Sequence, residues 1–594
     1  AALAAAVLAV AGLALYKFLP REAGVAHFQT VNITRLTSHG KATHVAISPD
    51  GKYFVYALSD AGRQSLWLRQ TDAVNDTQIV PPAPGGYFGI TFSRDGSQLY
   101  YTLKANDAGT LYRMPVLGGT PVKVLTGIDC PVSFSPDGKQ FAFVRGDYPV
   151  RGESGLFVAD ADGGNVRRIA ARKLPELFFP IFFTGPSWSP DGQLIACAVT
   201  NAKSEGRVIA VNVADGSEQV LTRETWPQVA RVEWLPDMSG LLMNARDQKS
   251  TVPQIWLLSY PEGSARKVTN DLTFYRAVSL SADGSSLVTV QTTGLVNVWV
   301  IAGGEKKAVE LPAGAQGQSS GDAVQLSIGN VGFLGGNESI SWTPDGRMVY
   351  VNAIGKESDI WIMNADGSNR KQLTASGSGQ NHNPVVTPDG RHVVFTSGRT
   401  GARTVWLMNI DGSDARQLTE GLAEFLPSVS PDGQWVVYSS LEAGRLMLRK
   451  VPIGGGAPVE LNREGVNPVV SPDGRQIAYL FTEASAPDAP PNRIGVIPFE
   501  GGEPVRTFEI PGGLGGARTI LRWSHDGRSL LYTVIANNVS NIWSRPVEGG
   551  KPTQLTDFKE HIITAFDWSR DGRQLAVARG LIIRDAVLIS NAKP

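Results

Sequence analysis

Gly317-Gln318-Ser319-Ser320-Gly321 spells GxSxG, the spacing of a nucleophile elbow, in which a tight strand-to-helix turn exposes a serine to a base. The surroundings do not suit that chemistry. The match lies in a Gly/Ser/Gln-rich run with no α/β pattern after it, so Ser319 is not expected to act as a nucleophile. Seven histidines, His27, His39, His44, His382, His392, His525 and His561, include no HExxH and no pair at helical spacing. Cys130 and Cys197 sit in apolar runs (IDCPVSF, LIACAVT) without a second Cys or His at metal-ligand distance, and read as small buried side chains. There is no HRD loop, no DFG and no phosphate-cradling Gly loop, and Gly512 to Gly516 reads as a flexible stretch. The expectation is a chain without catalytic residues, metal or cofactor.

The side chains that do recur are aspartates in a four-residue unit. Ser-Pro-Asp-Gly stands at 48–51, 135–138, 189–192, 430–433 and 471–474, with Thr leading at 343–346 and 387–390. Variants keep Asp-Gly at 93–96, 281–284, 524–527 and 569–572, and a twelfth copy reads Leu235-Pro236-Asp237 with Gly240 delayed. Such aspartates could line a channel and bind a cation, but turn capping explains them more simply. Ser or Thr bonds the backbone ahead, Pro presets φ, Asp caps locally and Gly accepts positive φ. His525 takes the Pro place of its turn, which favours a surface role.

Around each turn the apolar residues alternate with period two, as in HVAISPDGKYFVYAL and ISWTPDGRMVYVNA, so each copy is a hairpin. A third strand follows (DIWIMNADG, TVWLMNIDG), then a fourth ending in QLT at 370–374, 415–419 and 552–556. Four strands per unit is the content of a propeller blade, and the mean pitch of about 47 residues is that of known blades. The composition agrees: 65 Gly and 37 Pro suit many tight turns. With 55 basic against 55 acidic residues, no electrostatic case exists for nucleic acid as partner.

Twelve copies exceed one ring, and the widest interval, Asp283 to Asp345, predicts a boundary. The fold expected is all-β: two consecutive six-bladed β-propellers, with seven plus five blades as the alternative. The domains read as a first propeller over 28–311, a junction and closing strand over 312–330, and a second propeller over 331–594. VNITRLT (31–37) precedes any turn copy and matches the fourth-strand pattern, so it should close the first ring. KAVELP or DAVQLS, within 305–328, should close the second.

Ahead of the repeats, AALAAAVLAVAGLALY carries no charge and is followed by Lys17 and Arg21. Residues 1–20 are therefore expected to be a transmembrane or signal-anchor helix whose start lies upstream, a cleaved signal peptide being the alternative.

With the turn, the IWxMNxDG third strand and the RQLT fourth strand in hand, the chain resembles the TolB-like propeller family over 28–594. The preceding apolar segment makes the layout similar to the extracytoplasmic region of bacterial transmembrane serine/threonine kinases. That resemblance implies a single-pass inner-membrane protein with periplasmic propellers acting as sensor or scaffold, the kinase domain lying outside this sequence. The alternatives are a secreted periplasmic TolB-like interaction scaffold, or the propeller of a hydrolase without its catalytic domain. Protein or small-molecule ligands are expected at loops or channel mouths. One insertion, ARKLPELFFPIFFTGP (171–186), offers Phe178, Phe179, Phe182 and Phe183 as a partner contact, or else as core folded back on its sheet. A second, TEASAPDAPPNR (482–493), reads as a polar loop.

Overall fold

The computed structural model describes residues 27–592 except 179–183, 303–322, 327–339, 375–379, 483–492, 511–518 and thirteen shorter stretches of one to four residues. The expected helix over 1–20, Phe179, Phe182, Phe183 and the GxSxG match at Ser319 lie outside the described residues. Among the described residues there is no helix, and none long and apolar enough to cross a membrane. The described residues are all-β, in eleven sheets, nine of which have four strands in simple sequence order, as propeller blades do.

The motifs acquire physical roles in these sheets. In each turn the hydroxyl of the leading Ser or Thr donates to the Asp carboxylate, as from Ser48 to Asp50 (2.6 Å) and Ser471 to Asp473 (2.6 Å). The same hydroxyl accepts the N–H five residues on, from Tyr53 and from Gln476 (both 2.9 Å), and so closes the hairpin. The Asp also accepts the N–H two residues on, from Lys52 and Arg475 (both 3.1 Å). The QLT threonine works one strand further out, accepting an N–H of the third strand: Ile360 to Thr374 and Val405 to Thr419 at 3.0 Å, Ile542 to Thr556 at 2.8 Å. The preceding Leu373 and Leu418 are buried in the cores between sheets.

These carboxylates carry a pH dependence. In Asp50, Asp95, Asp137, Asp389, Asp432, Asp473 and Asp571 the hydroxyl hydrogen bond, first, and the backbone N–H hold the carboxyl below its usual value. A group lowered by folding stabilises the native state above its unfolded pKa, near 3.9, and loses that contribution as pH falls. The melting temperature should therefore change little between about pH 5 and 7 and fall steeply below about pH 4. Thermal melts across that range check this, and the fall should be shallower in a variant with several of these aspartates changed to Asn.

One sheet departs from the simple order. Ser286–Ala302 and Gln574–Asn591 pair antiparallel along their length, from Ser286 opposite Ser590 to Ala302 opposite Gln574. At roughly 3.3 Å per residue this ribbon is about 55 Å long, enough for two ordinary sheets end to end. At one end, Phe274–Leu280 flanks residues 287–292 and Val31–Arg35 flanks 587–591. At the other, Ile562–Trp568 flanks 575–580 and Ala323–Leu326 flanks 298–301. Each end is thus a four-stranded sheet whose third strand comes from the other half of the chain.

Two expectations change accordingly and one is narrowed. The strand 31–35 does sit at an outer edge, but on the chain's C-terminal strand rather than on the preceding repeat. Of the two candidates at the junction, DAVQLS supplies the pairing strand, and KAVELP lies outside the described residues. A division at 311 and 331 is crossed in both directions, because residues 296–302 complete a sheet with 562–580, and 584–591 complete one with 274–292. The physical reason is local. QTTGLV and ARGLII lack the Asn-Gly or Asp-Gly pair that favours a two-residue reversal, so each hairpin stays open as one long strand.

Phe178 is also corrected as a partner contact. It ends the strand Glu176–Phe178, pairs with Val199, is 0% exposed and lies beneath the Arg172 guanidinium, 5.5 Å from the ring centroid. The apolar side chain has folded back as core. Cys130 and Cys197 are free and buried, and burial pushes both thiols up.

Candidate binding site where six strands converge

The first strands of six sheets, from Ile340–Trp342 to Ile562–Trp568, line one cavity of about 410 Å³. Two equivalent positions recur in its lining: the residue two before the turn's Ser or Thr, and the Pro of the turn. In chain order these pairs are Ser341 and Pro344, Val385 and Pro388, Ser428 and Pro431, Val469 and Pro472, Arg522 and His525, Asp567 and Arg570. All but Pro344 line the cavity.

Neighbouring sheets are stitched at the first of these positions. Ser341 Oγ accepts from Val386 N (3.0 Å) and Ser428 Oγ from Val470 N (3.1 Å). Where the sixth sheet meets the first, Asp567 replaces the serine and accepts from Trp342 N (3.2 Å). The turns stack as well. A Cβ on Gly527 (φ 67°) would lie 3.6 Å from Pro472 Cδ, so each proline covers the next turn's glycine. Past His525 the stacking opens, and a Cβ on Gly572 would meet nothing within 4 Å.

The wall is therefore two-sided. Four repeats contribute mainly Pro, Val and Ser together with Ile340, Trp342, Leu426 and Asn467, while the last two contribute every charged or ionisable side chain of the lining: Arg522, His525, Asp567 and Arg570. Tryptophans 342, 523 and 568 also line the cavity. Asp567 and Arg522 are half-buried but closely surrounded by protein. Desolvation pushes the Asp567 carboxyl up against the opposing pull of Arg522, and desolvation lowers the Arg522 guanidinium. Arg570 donates to the carbonyl of Val386 (3.4 Å) and Arg522 to that of Leu521 (2.8 Å). With two guanidiniums against one carboxylate the cavity carries net positive charge. Such a surface can bind and orient an anionic group.

The equivalent positions in the first half are Ala46, Thr91, Ser133, Ser187, Glu233 and Ser279, with Arg94 and Ala282 in place of turn prolines. Glu233 is pushed up by burial, opposed by Arg231 and Arg94. The structure thus places His525, read as a surface residue, on a cavity wall, while Arg522, Asp567 and Arg570 were not singled out by sequence. The available signal was the loss of Pro from the turn in two successive copies, each with a charge two residues before the turn. No three His, Cys, Asp or Glu side chains cluster as a metal site among the described residues.

Residues 333–467 match the family model of the TolB beta propeller domain. An uncharacterized protein of Agrobacterium fabrum (strain C58 / ATCC 33970) is 31% identical over 155 residues, covering 23% of this chain and 53% of that protein. The chain thus spans about half the length of this curated relative. Among solved structures, TolB from Acinetobacter baumannii is similar at 14% identity and a TM-score of 0.25, over 61% of this chain and 79% of that one. The GH74 enzyme of Niastella koreensis is similar at 11% identity and a TM-score of 0.33, over 93% and 91%. The repeated four-stranded sheets and the Ser/Thr-Pro-Asp-Gly turns that build them accompany the match over 333–467, so this stretch carries repeats similar to the TolB β-propeller domain.

Proposed function

We propose that the chain is an extracytoplasmic interaction scaffold of two six-bladed propellers, interlocked through the 286–302 and 574–591 strands, that presents the mouth of its second ring to a protein or small-molecule ligand. The observation that carries this reading is the cavity on which six first strands converge, with its charge confined to the last two repeats. A rigid rim of stacked turns preorganises such a mouth, and preorganisation reduces the entropic cost of binding. The extracytoplasmic and membrane-tethered part of the reading rests on the apolar segment 1–16. The kinase-ectodomain reading rests on that segment alone and adds nothing to what the mouth can bind.

The test blocks the mouth. The full chain with Pro388→Trp and Pro431→Trp should lose the partners that the unmodified protein captures from envelope extract. A control with Val74→Asp and Leu117→Asp, both 81% exposed, should keep them. Retention of every partner by the blocked protein, with an unchanged melting temperature, would overturn the proposal.

A further inference from the structure

Resting on that reading of the mouth, we infer that its ligand is a carboxylate carried on an apolar body, the carboxylate meeting Arg522 and Arg570 and the body lying against the proline arc of the preceding repeats. The cavity's volume, about 410 Å³, falls within the roughly 300–1,000 Å³ of small-ligand sites. Its charges stand on one side. Arg522 and His525 come from one repeat and Asp567 and Arg570 from the next, while Pro388, Pro431, Pro472, Val385 and Val469 form the other side.

Each guanidinium carries five N–H donors in a planar fork that matches a carboxylate. One hydrogen bond from Arg570 goes to Val386 and one from Arg522 to Leu521, leaving donors for an incoming anion. Asp567 balances one of the two guanidiniums, so these three groups leave a net charge near +1. A neutral ligand would bury the remaining charge uncompensated. An anion without an apolar part would leave the proline arc uncovered. A dianion would exceed the charge available. A monocarboxylate on an apolar body satisfies all three conditions, whether it is a free acid or the C-terminus of a peptide.

Tryptophans 342, 523 and 568 line the cavity, so intrinsic fluorescence of the full chain reports occupancy. The probes are phenylbutyrate and acetyl-leucyl-phenylalanine, each compared with its amide. Both acids should bind at least about tenfold tighter than their amides, as expected for one charge-assisted hydrogen bond. The preference should vanish in the Arg522→Gln/Arg570→Gln protein. Arg570→Gln alone, at an exposed turn position, should reduce the preference without moving the melting temperature, which keeps the test valid if the double variant misfolds. Acid selectivity for only one probe supports the inference and names the source of the carboxylate. Equal binding of acids and amides would overturn the inference while leaving the mouth as a binding site. No fluorescence change with any probe at millimolar concentration would count against both.

Discussion

Deleting residues 574–594 should unfold the first half of the protein as well as the second. The strand lost contributes buried Leu575, Ala576, Val577 and Ala578 to one sheet and Ala586, Val587 and Ile589 to the other. At roughly 1.5–3 kcal/mol for each large apolar side chain, the loss rivals the roughly 5–15 kcal/mol by which a folded domain is stable. It also removes Asp585, 2% exposed, which accepts from Thr37 Oγ1 (3.1 Å) and Gly40 N (3.0 Å) and ties the N-terminal strand down. Strand 31–35 then has no partner. Calorimetry should show one cooperative transition for the full chain and none for the truncated one. If residues 42–280 of the truncated chain kept a cooperative melt and resisted proteolysis, the two halves would be separable.

Asp567→Ala should destabilise the protein by about 2 kcal/mol, within the roughly 1–3 kcal/mol range for leaving a buried hydrogen-bonding group without its partner. The change leaves Arg522 desolvated without its carboxylate and leaves Trp342 N without its acceptor. The second loss falls at the joint between the sixth and first sheets of that ring. The same substitution raises the net positive charge of the mouth, so binding of phenylbutyrate should tighten while the melting temperature falls. Chemical denaturation paired with fluorescence titration checks both. A loss of stability with weaker acid binding would show that Asp567 helps to hold the ligand rather than to balance the arginines.

Much of the frame was legible in the residues. Ser48, Asp50 and Gly51 proposed a hairpin turn, and the structure shows that turn with the expected hydroxyl and carboxylate bonds. Thr374 and Thr419 marked a fourth strand, and their hydroxyls hold it to the third. What could not be read was partner choice. LVNVWVIA has the same period-two pattern whether it folds back on 286–292 or runs on to meet 574–580, and only the missing reversal at Thr293-Gly294 hinted at the second outcome.

The site leaves a weaker mark in the sequence. The phenylalanines of 171–186 break the repeat pitch, yet Phe178 is core. His525 and Arg570 break the repeat chemistry instead, at the Pro place of the turn, which lines the cavity. In a protein built from copies of one turn, the side chain that fails to match where the copies face one another is the stronger pointer to a ligand.

The measurement that tests the account most directly is amide hydrogen exchange of the full chain with and without its captured partner. Slower exchange is predicted in the segments that line the mouth, 385–388, 428–431, 469–472, 522–525 and 567–570, with the outer strands of the same sheets unchanged. Protection confined to those outer strands, or to the first half of the chain, would contradict it.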